Sequence, residues 1–310
     1  MASIISINLS DEKGTSKHPV DRAVIDDTGL VGDAHSGHWH RQISLLSQEC
    51  IESFAKQHNQ SYQPGNFAEN LTTEGLALEM VGIRDILTIG QEVKLEITQI
   101  GKECHGGSCA VFKAVGRCVM PKEGLFTRVL RGGSIARGDP VQHQPKPLKI
   151  KIITLSDRAS RGEYADRSGP AIEQHLTTHF AGTRFQLEFS RIILPDEATS
   201  LREALLAART NNSDLVFTTG GTGIGPRDLT PDVVLPLLDK TVPGIMESIR
   251  FKYGQNLPSA LLSRSVAGVM GTCLVYTLPG SVRAVSEYLA EILKTLPHSL
   301  LMLWGIDAHH

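Results

Sequence analysis

Thr218-Thr219-Gly220-Gly221-Thr222-Gly223, followed by Arg227-Asp228-Leu229-Thr230-Pro231-Asp232, decides how the second half of this chain folds. The apolar run Leu215-Val216-Phe217 before it reads as a buried strand. The segment 231–238 reads as a helix with Thr230 as N-cap and Pro231 at the first helical position. A strand that breaks into glycines on its way to a helix leaves backbone N–H groups unpaired at the carboxyl edge of a sheet. Such a turn cradles phosphate, and the helix start adds a favourable dipole. The pattern is neither the dinucleotide fingerprint nor a P-loop, because no Lys-Ser or Lys-Thr follows the glycines. Arg227 and Asp228 supply a guanidinium fork for a phosphate and a carboxylate for a divalent cation.

Upstream, Gln142-His143-Gln144-Pro145-Lys146-Pro147 reads as a connector, since two prolines among polar residues favour an extended, poorly packing segment. It separates an N-terminal domain over 1–144 from a C-terminal domain over 148–310. Before it, short alternations such as Val93-Lys94-Leu95-Glu96-Ile97-Thr98 lie between glycine-rich turns. A single helix is expected over 47–58, with Ile51, Phe54 and Ala55 on one face. That pattern suits a small β-rich barrel or sandwich. After the connector, strands at 148–155, 185–193, 214–218 and 273–277 alternate with helices at 168–179, 199–210, 231–238 and 281–296. This alternation predicts a mostly parallel sheet covered by helices, with ligands beyond the carboxyl ends of its strands.

Composition narrows the class. The 310 residues are 41% hydrophobic and 21% charged, with 31 Lys and Arg against 33 Asp and Glu, so no global charge steers the chain to nucleic acid. An anionic ligand must be met by a local cluster. No stretch approaches the roughly 18 apolar residues of a membrane span, so no membrane partner is expected. The N-terminus lacks a basic region followed by an apolar core. Five cysteines, an odd number, argue against a disulfide framework and for a reducing, cytoplasmic setting.

Every polar motif of the C-terminal half falls where a strand ends. The first strand runs into Ser156-Asp157-Arg158-Ala159-Ser160 and then Asp166, the second into Pro195-Asp196-Glu197, the third into the glycine turn, and the last into Leu278-Pro279-Gly280-Ser281. Four such turns at one sheet edge gather Asp157, Asp166, Asp196 and Asp228 with Arg158 and Arg227. The blocks SDRASRGEYADRSGP (156–170), PDE (195–197), TTGGTG with RDLTPD (218–232) and LPGS (278–281) resemble the signature set of the MogA/MoaB molybdopterin-binding domain. The likeness leans toward the molybdopterin adenylyltransferases. It implies an α/β/α three-layer sandwich with a mostly parallel sheet, and homotrimers built through this domain. It further implies adenylylation of the terminal phosphate of molybdopterin by ATP and Mg²⁺. The product would pass to a molybdate-inserting protein and on to apo-molybdoenzymes. Carried over by resemblance, Gly220, Gly221, Thr222 and Gly223 line the pterin and phosphate site. Asp228 and Asp196 are the catalytic acidic residues, acting through Mg²⁺. Pro279, Gly280 and Ser281 contact the pterin or its phosphate, Arg227 reaches phosphate, and Asp157 shapes the nucleotide side. Some relatives bind molybdopterin without an established catalytic role, which leaves a non-catalytic carrier as the alternative.

The N-terminal half carries two polar clusters, Gly32-Asp33-Ala34-His35-Ser36-Gly37-His38-Trp39-His40-Arg41-Gln42 and Gly101-Lys102-Glu103-Cys104-His105, with Cys109 and Cys118 beyond. The spacing is not that of a zinc finger. Cys104 follows a lysine at the end of an alternating strand, where a nearby ammonium favours the thiolate that binds soft metals or carries sulfur. The blocks at 29–47, 64–76, 89–105 and 120–139 resemble a MOSC domain, the β-rich domain of molybdenum-cofactor sulfurases. The resemblance implies a barrel with a pocket for molybdopterin or the molybdenum cofactor. Cys104 is its characteristic thiol, His105 lies beside it, and Arg41, Arg128 and Arg131 face the pterin phosphate. This half would bind, carry or modify the cofactor.

Overall fold

The computed structural model describes residues 1–103, 112 and 116–306. The chain forms two units, Met1–Lys146 and Pro147–His310.

The first unit is built from short strands: β1 (Ser3–Leu9), β2 (His18–Val20), β3 (Arg22–Asp26), β4 (Gly29–Leu30), β5 (Ile43–Ser47) and β6 (Leu71–Glu74). They are followed by β7 (Ile86–Ile89), β8 (Val93–Ile100), β9 (Leu125–Arg131), β10 (Gly133–Ala136) and β11 (Val141–Gln144). Helix α1 (Gln48–His58) follows β5, and the short α2 (Met120–Glu123) precedes β9. One sheet of eight strands has the order β11-β7-β8-β9-β5-β6-β1-β2, and β10, β3 and β4 form a second. The large sheet is mixed, because β5 and β6 pair in parallel while their neighbours pair antiparallel. Beyond this order, the Ile4 amide donates to the Asp139 carbonyl at 2.9 Å and the Val141 amide to the Ala2 carbonyl at 2.8 Å, so β1 also meets the segment leading into β11, at the other end of the sheet from β2. Its end strand β2 is three residues long with Pro19 at its centre, and a proline there removes a ladder donor and marks an edge. Alternation identifies strands and their inward faces, whereas closure depends on register and strand ends that alternation does not encode. The inward residues, among them Ile4, Ile7, Leu45, Leu71, Leu87, Leu95 and Leu125, form one core. The helix expected over 47–58 begins with the Ser47 hydroxyl accepting from the Cys50 amide at 3.1 Å, and it buries Ile51 with Phe54 and Ala55 against Tyr62 and Phe67.

In the second unit, β12 (Leu148–Leu155), β13 (Leu187–Leu194), β14 (Leu215–Thr219), β15 (Lys240–Thr241), β16 (Ala267–Met270) and β17 (Cys273–Leu278) form a sheet of order β13-β12-β14-β17-β16-β15. The first four are parallel and the last two antiparallel, so this sheet too is mixed. Its helices are α3 (Asp157–Ser160), α4 (Ser168–Phe180), α5 (Ala198–Thr210), α6 (Thr230–Val234), α7 (Pro243–Gly254) and α8 (Val282–Leu303). Leu201, Leu205 and Ala208 of α5 and Val234 of α6 pack on Ile153, Leu155, Val216 and Val275. Alternation turns Ile152, Phe217 and Tyr276 to the opposite face, where α4 and α8 pack together; the Phe217 and Tyr276 rings stack at 5.3 Å. Among the described residues no helix is long and apolar enough to cross a membrane.

Candidate functional site

Strand β14 ends at Thr219, and the next two residues, Gly220 and Gly221, have φ of 105° and 63°. A Cβ on Gly220 would stand 2.3 Å from the Leu155 carbonyl oxygen, so the turn lies directly against the end of β12. The Gly220 amide donates to the Leu278 carbonyl at 3.0 Å, and the Thr219 hydroxyl donates to the Pro279 carbonyl at 2.9 Å. Two strand ends and the LPGS turn are thereby tied together. Thr230 does not cap the helix as expected. Leu229 takes that place without a side-chain bond, and the Thr230 hydroxyl instead donates to the Gly220 carbonyl at 2.8 Å, its amide to that of Gly221 at 3.0 Å. The helix after it spans only five residues before tightening into a 3₁₀ turn, so it aligns few peptide dipoles. The amides do more. Among the described residues, the Gly221, Thr222 and Gly223 amides donate to no protein acceptor.

The acidic turns converge at the same sheet edge. The Asp157 amide donates to Asp196 Oδ2 at 3.2 Å and the Asp196 amide to Asp157 Oδ1 at 3.0 Å, a reciprocal pair that locks the ends of β12 and β13 together. The Arg227 guanidinium contacts Asp157 and lies 3.7 Å from Asp196 Oδ2. Burial, and then the charge of Asp228, push Asp196 above the ordinary carboxylate range. Asp228 accepts from the Gly225 amide at 2.9 Å. Asp166, grouped with these on sequence, serves as a clamp: its carboxylate accepts from the Ser168 and Gly169 amides and from the Thr154 hydroxyl. Arg158 lies apart from the cluster, 3.6 Å from Glu163 and over the Tyr164 ring.

Two cavities flank the glycine turn. The larger, about 590 Å³, is lined by Thr154, Ser156, Asp166, Asp196, Arg227 and Asp228 among others. The smaller, about 370 Å³, contains Thr222, Gly223, Pro279 and Ser281 with Ile249, Tyr253, Leu257 and Tyr288. Gly221, Asp228 and Gly280 belong to both, so one turn walls two compartments. The Ser281 hydroxyl is also the N-cap of α8, accepting from the Ala284 amide at 3.2 Å. Tyr253 and Tyr288 carry no motif and are missed by sequence reasoning. So is Arg264, whose side chain donates to the Gly223 and Asp228 carbonyls and forks onto Asp232. Among the described residues no three His, Cys, Asp or Glu side chains converge as a metal cage. Asp196 and Asp228 nonetheless suit Mg²⁺, which binds through one or two carboxylates together with substrate phosphate oxygens.

In the first unit Cys104, His105 and Cys109 lie outside the described residues. The Arg41 guanidinium sits 4.8 Å over the Trp39 ring, and burial pushes its pKa down. Arg128 donates to Glu96 at 2.6 Å, and Arg131, exposed, is 3.8 Å from Glu92. Behind the His-rich segment lies a pair the sequence did not reveal: Lys17 and Asp33, both fully buried and in direct contact. Burial raises Asp33, but the Lys17 hydrogen bond and charge outweigh it and hold the carboxyl below its usual range. Lys17 Nζ is also 3.4 Å from His35 Nδ1; burial first, and the lysine charge second, lower that imidazole to about 4.

Comparison with known proteins places both halves. Residues 151–298 match the model of the probable molybdopterin binding domain, and residues 32–142 that of the MOSC domain. A molybdenum cofactor biosynthesis bifunctional protein of Synechococcus elongatus is 40% identical over 256 residues, 76% of this chain and 78% of that protein. A molybdopterin adenylyltransferase of Helicobacter pylori is 34% identical over 159 residues, 51% of this chain and 89% of that protein. The solved structure of the molybdopterin biosynthesis enzyme MoaB from Thermus thermophilus is 39% identical and covers 51% of this chain and 97% of its own, with a TM-score of 0.46. The chain belongs to the molybdopterin-binding family of molybdenum cofactor biosynthesis proteins, with a MOSC domain preceding that family's domain.

Proposed function

We propose that this protein acts in molybdenum cofactor biosynthesis and that its second unit is a molybdopterin adenylyltransferase. The observation that carries this reading is the pair of cavities sharing Gly221, Asp228 and Gly280. Adenylyl transfer needs two polyanions side by side with their reacting atoms at a common wall. The larger, carboxylate- and hydroxyl-lined cavity takes the nucleotide. The smaller one, with Tyr253, Tyr288, Pro279 and Ser281, takes the pterin. A terminal phosphate oxygen of molybdopterin attacks the α-phosphorus of ATP, a new P–O–P bond forms, and pyrophosphate leaves. The Gly221, Thr222 and Gly223 amides hold the incoming phosphate by charge-assisted hydrogen bonds. Asp196 and Asp228 would hold Mg²⁺, which supplies charge neutralisation for the departing pyrophosphate when bound. Arg227 lies beside them and is long and exposed enough to exchange a carboxylate for a phosphate.

The name of the Helicobacter pylori relative supports the same reaction. By this reading the first unit binds the cofactor or its precursor through Cys104, and the second unit associates as a trimer. Purified chain mixed with molybdopterin, ATP and Mg²⁺ releases pyrophosphate stoichiometrically with adenylyl-molybdopterin. Tight molybdopterin binding without pyrophosphate release makes the protein a carrier and refutes the transferase.

A further inference from the structure

We propose that Arg264, outside every recognised motif, is the positioning residue that makes the glycine turn an oxyanion cradle. The inference rests on the adenylyltransferase reading of this site and deepens it. An anion at a backbone turn must meet N–H groups and avoid carbonyl oxygens, so something has to gather the carbonyls elsewhere. Arg264 does this from a single point. Its backbone amide donates to the Thr222 carbonyl at 2.8 Å, its Nε to the Gly223 carbonyl at 2.8 Å, and its Nη2 to the Asp228 carbonyl. In a planar trans peptide the C=O and N–H point in opposite directions, and this chain has no cis peptide among its described residues. Three carbonyls drawn toward Arg264 therefore turn the amides of Gly223, Ile224 and Leu229 away from it. Among the described residues none of those three amides donates to a protein acceptor.

The guanidinium is itself fixed. Its Nη1 and Nη2 meet the two Asp232 oxygens at 2.8 and 2.9 Å, and Asp232 lies on α6, which the turn leads into. A planar fork with donors on three sides suits the task; an ammonium does not, because it cannot serve Asp232 and two carbonyls in one plane. A cation bonded to a carbonyl also polarises that peptide and strengthens its N–H as a donor. The ligand class is thereby a phosphate or phosphoanhydride oxygen.

Arg264→Lys and Arg264→Ala, made in the full chain, test this. The probes are pyrophosphate binding by calorimetry and pyrophosphate release from ATP with molybdopterin. Arg264→Lys keeps its charge beside Asp232 and unfolds at the wild-type midpoint, but binds pyrophosphate roughly 10-fold more weakly and loses roughly 10- to 100-fold in kcat/KM. Added guanidinium ion restores part of the loss in Arg264→Ala. Should Arg264→Ala fail to fold, Arg264→Lys carries the comparison alone. A lysine variant with a lowered midpoint but unchanged pyrophosphate affinity and kcat/KM overturns the inference, and so does a wild-type chain that binds no pyrophosphate. Wild-type binding without pyrophosphate release from ATP defeats the transferase reading only, and the affinity ratio between arginine and lysine still decides the role of Arg264.

Discussion

Replacing Gly220 with alanine adds one carbon at the most crowded point of the glycine turn. Two costs follow from the geometry. The backbone there has φ of 105°, a conformation side chains other than glycine adopt only under strain of about 1–3 kcal/mol. The new Cβ would stand 2.3 Å from the Leu155 carbonyl oxygen and 3.6 Å from its Cβ, so the end of β12 must retreat by about 1 Å. Overpacking of that order costs about 1–3 kcal/mol. Reduced freedom of the unfolded chain offsets about 0.4–1 kcal/mol. The net loss is about 1–5.6 kcal/mol, a large share of the roughly 5–15 kcal/mol that holds a domain together, and at the middle of that range it lowers the melting point of this unit by about 10 °C. Urea unfolding of the full chain, followed by circular dichroism in the helix band, reads this unit because it holds most of the long helices. Gly244→Ala is the control: a Cβ there meets nothing within 4 Å, so the variant is no less stable than wild type and gains up to about 1 kcal/mol from the reduced freedom of the unfolded chain. Gly220→Ala unfolding with the control would mean that the turn is not wedged against β12, and the reasoning would fail.

Three further outcomes follow from the described contacts. Asp228→Asn keeps an oxygen for the Gly225 amide and so keeps the fold, while adenylylation falls by about 10²–10³; an unchanged rate removes Asp228 from the chemistry. Lys17→Met leaves the Asp33 carboxylate buried without its partner and costs about 3–5 kcal/mol in chemical denaturation, whereas Lys17→Met with Asp33→Asn removes the charge, keeps an acceptor for one of the Ser10 and His35 amides and recovers part of the loss; equal losses in both variants would show that the unpaired charge is not the cause. The His35 imidazole titrates near 4 in the folded chain but near its ordinary 6.5 when unfolded. Unfolding therefore takes up a proton between those values, and acid favours the unfolded form in that window and has no such effect above it. His35→Asn should flatten the stability profile from pH 6.5 to 4, and a profile as steep as wild type's would assign the acid sensitivity to other groups.

The reading from residues alone succeeded where a local pattern has one physical solution. Leu215-Val216-Phe217 forms the buried strand its apolar run predicts, and the glycines after it mark its end because they adopt the positive φ observed at Gly220 and Gly221 with the least strain. The helix expected over 47–58 runs from Gln48 to His58 as α1, because the spacing of Ile51, Phe54 and Ala55 puts them on one face. Helix α8 was expected to stop at 296, just before Pro297, yet it continues through that proline to Leu303. Packing of Leu289, Ile292, Leu296 and Leu300 in the core outweighs the lost hydrogen bond. Helix α7 went unseen because few of its residues are buried and Phe251 points outward, leaving no clean apolar stripe. The antiparallel pair β15 and β16 is two and four residues long, too short for alternation to register. Arg264 and the Lys17–Asp33 pair were invisible for a different reason. Their meaning lies in partners 32 to 42 positions away for the first and 16 for the second, and no short motif spans such distances.

On the adenylyltransferase proposal, the shared partition gives the occupants of the two cavities a route to influence one another's binding. Gly221 and Asp228 cannot shift to suit a guest on one side without altering the chamber on the other. Any factor by which the nucleotide changes affinity for the pterin must, by linkage, equal the factor by which the pterin changes affinity for the nucleotide. The coupling that this proposal expects is measurable as a closed cycle of four dissociation constants.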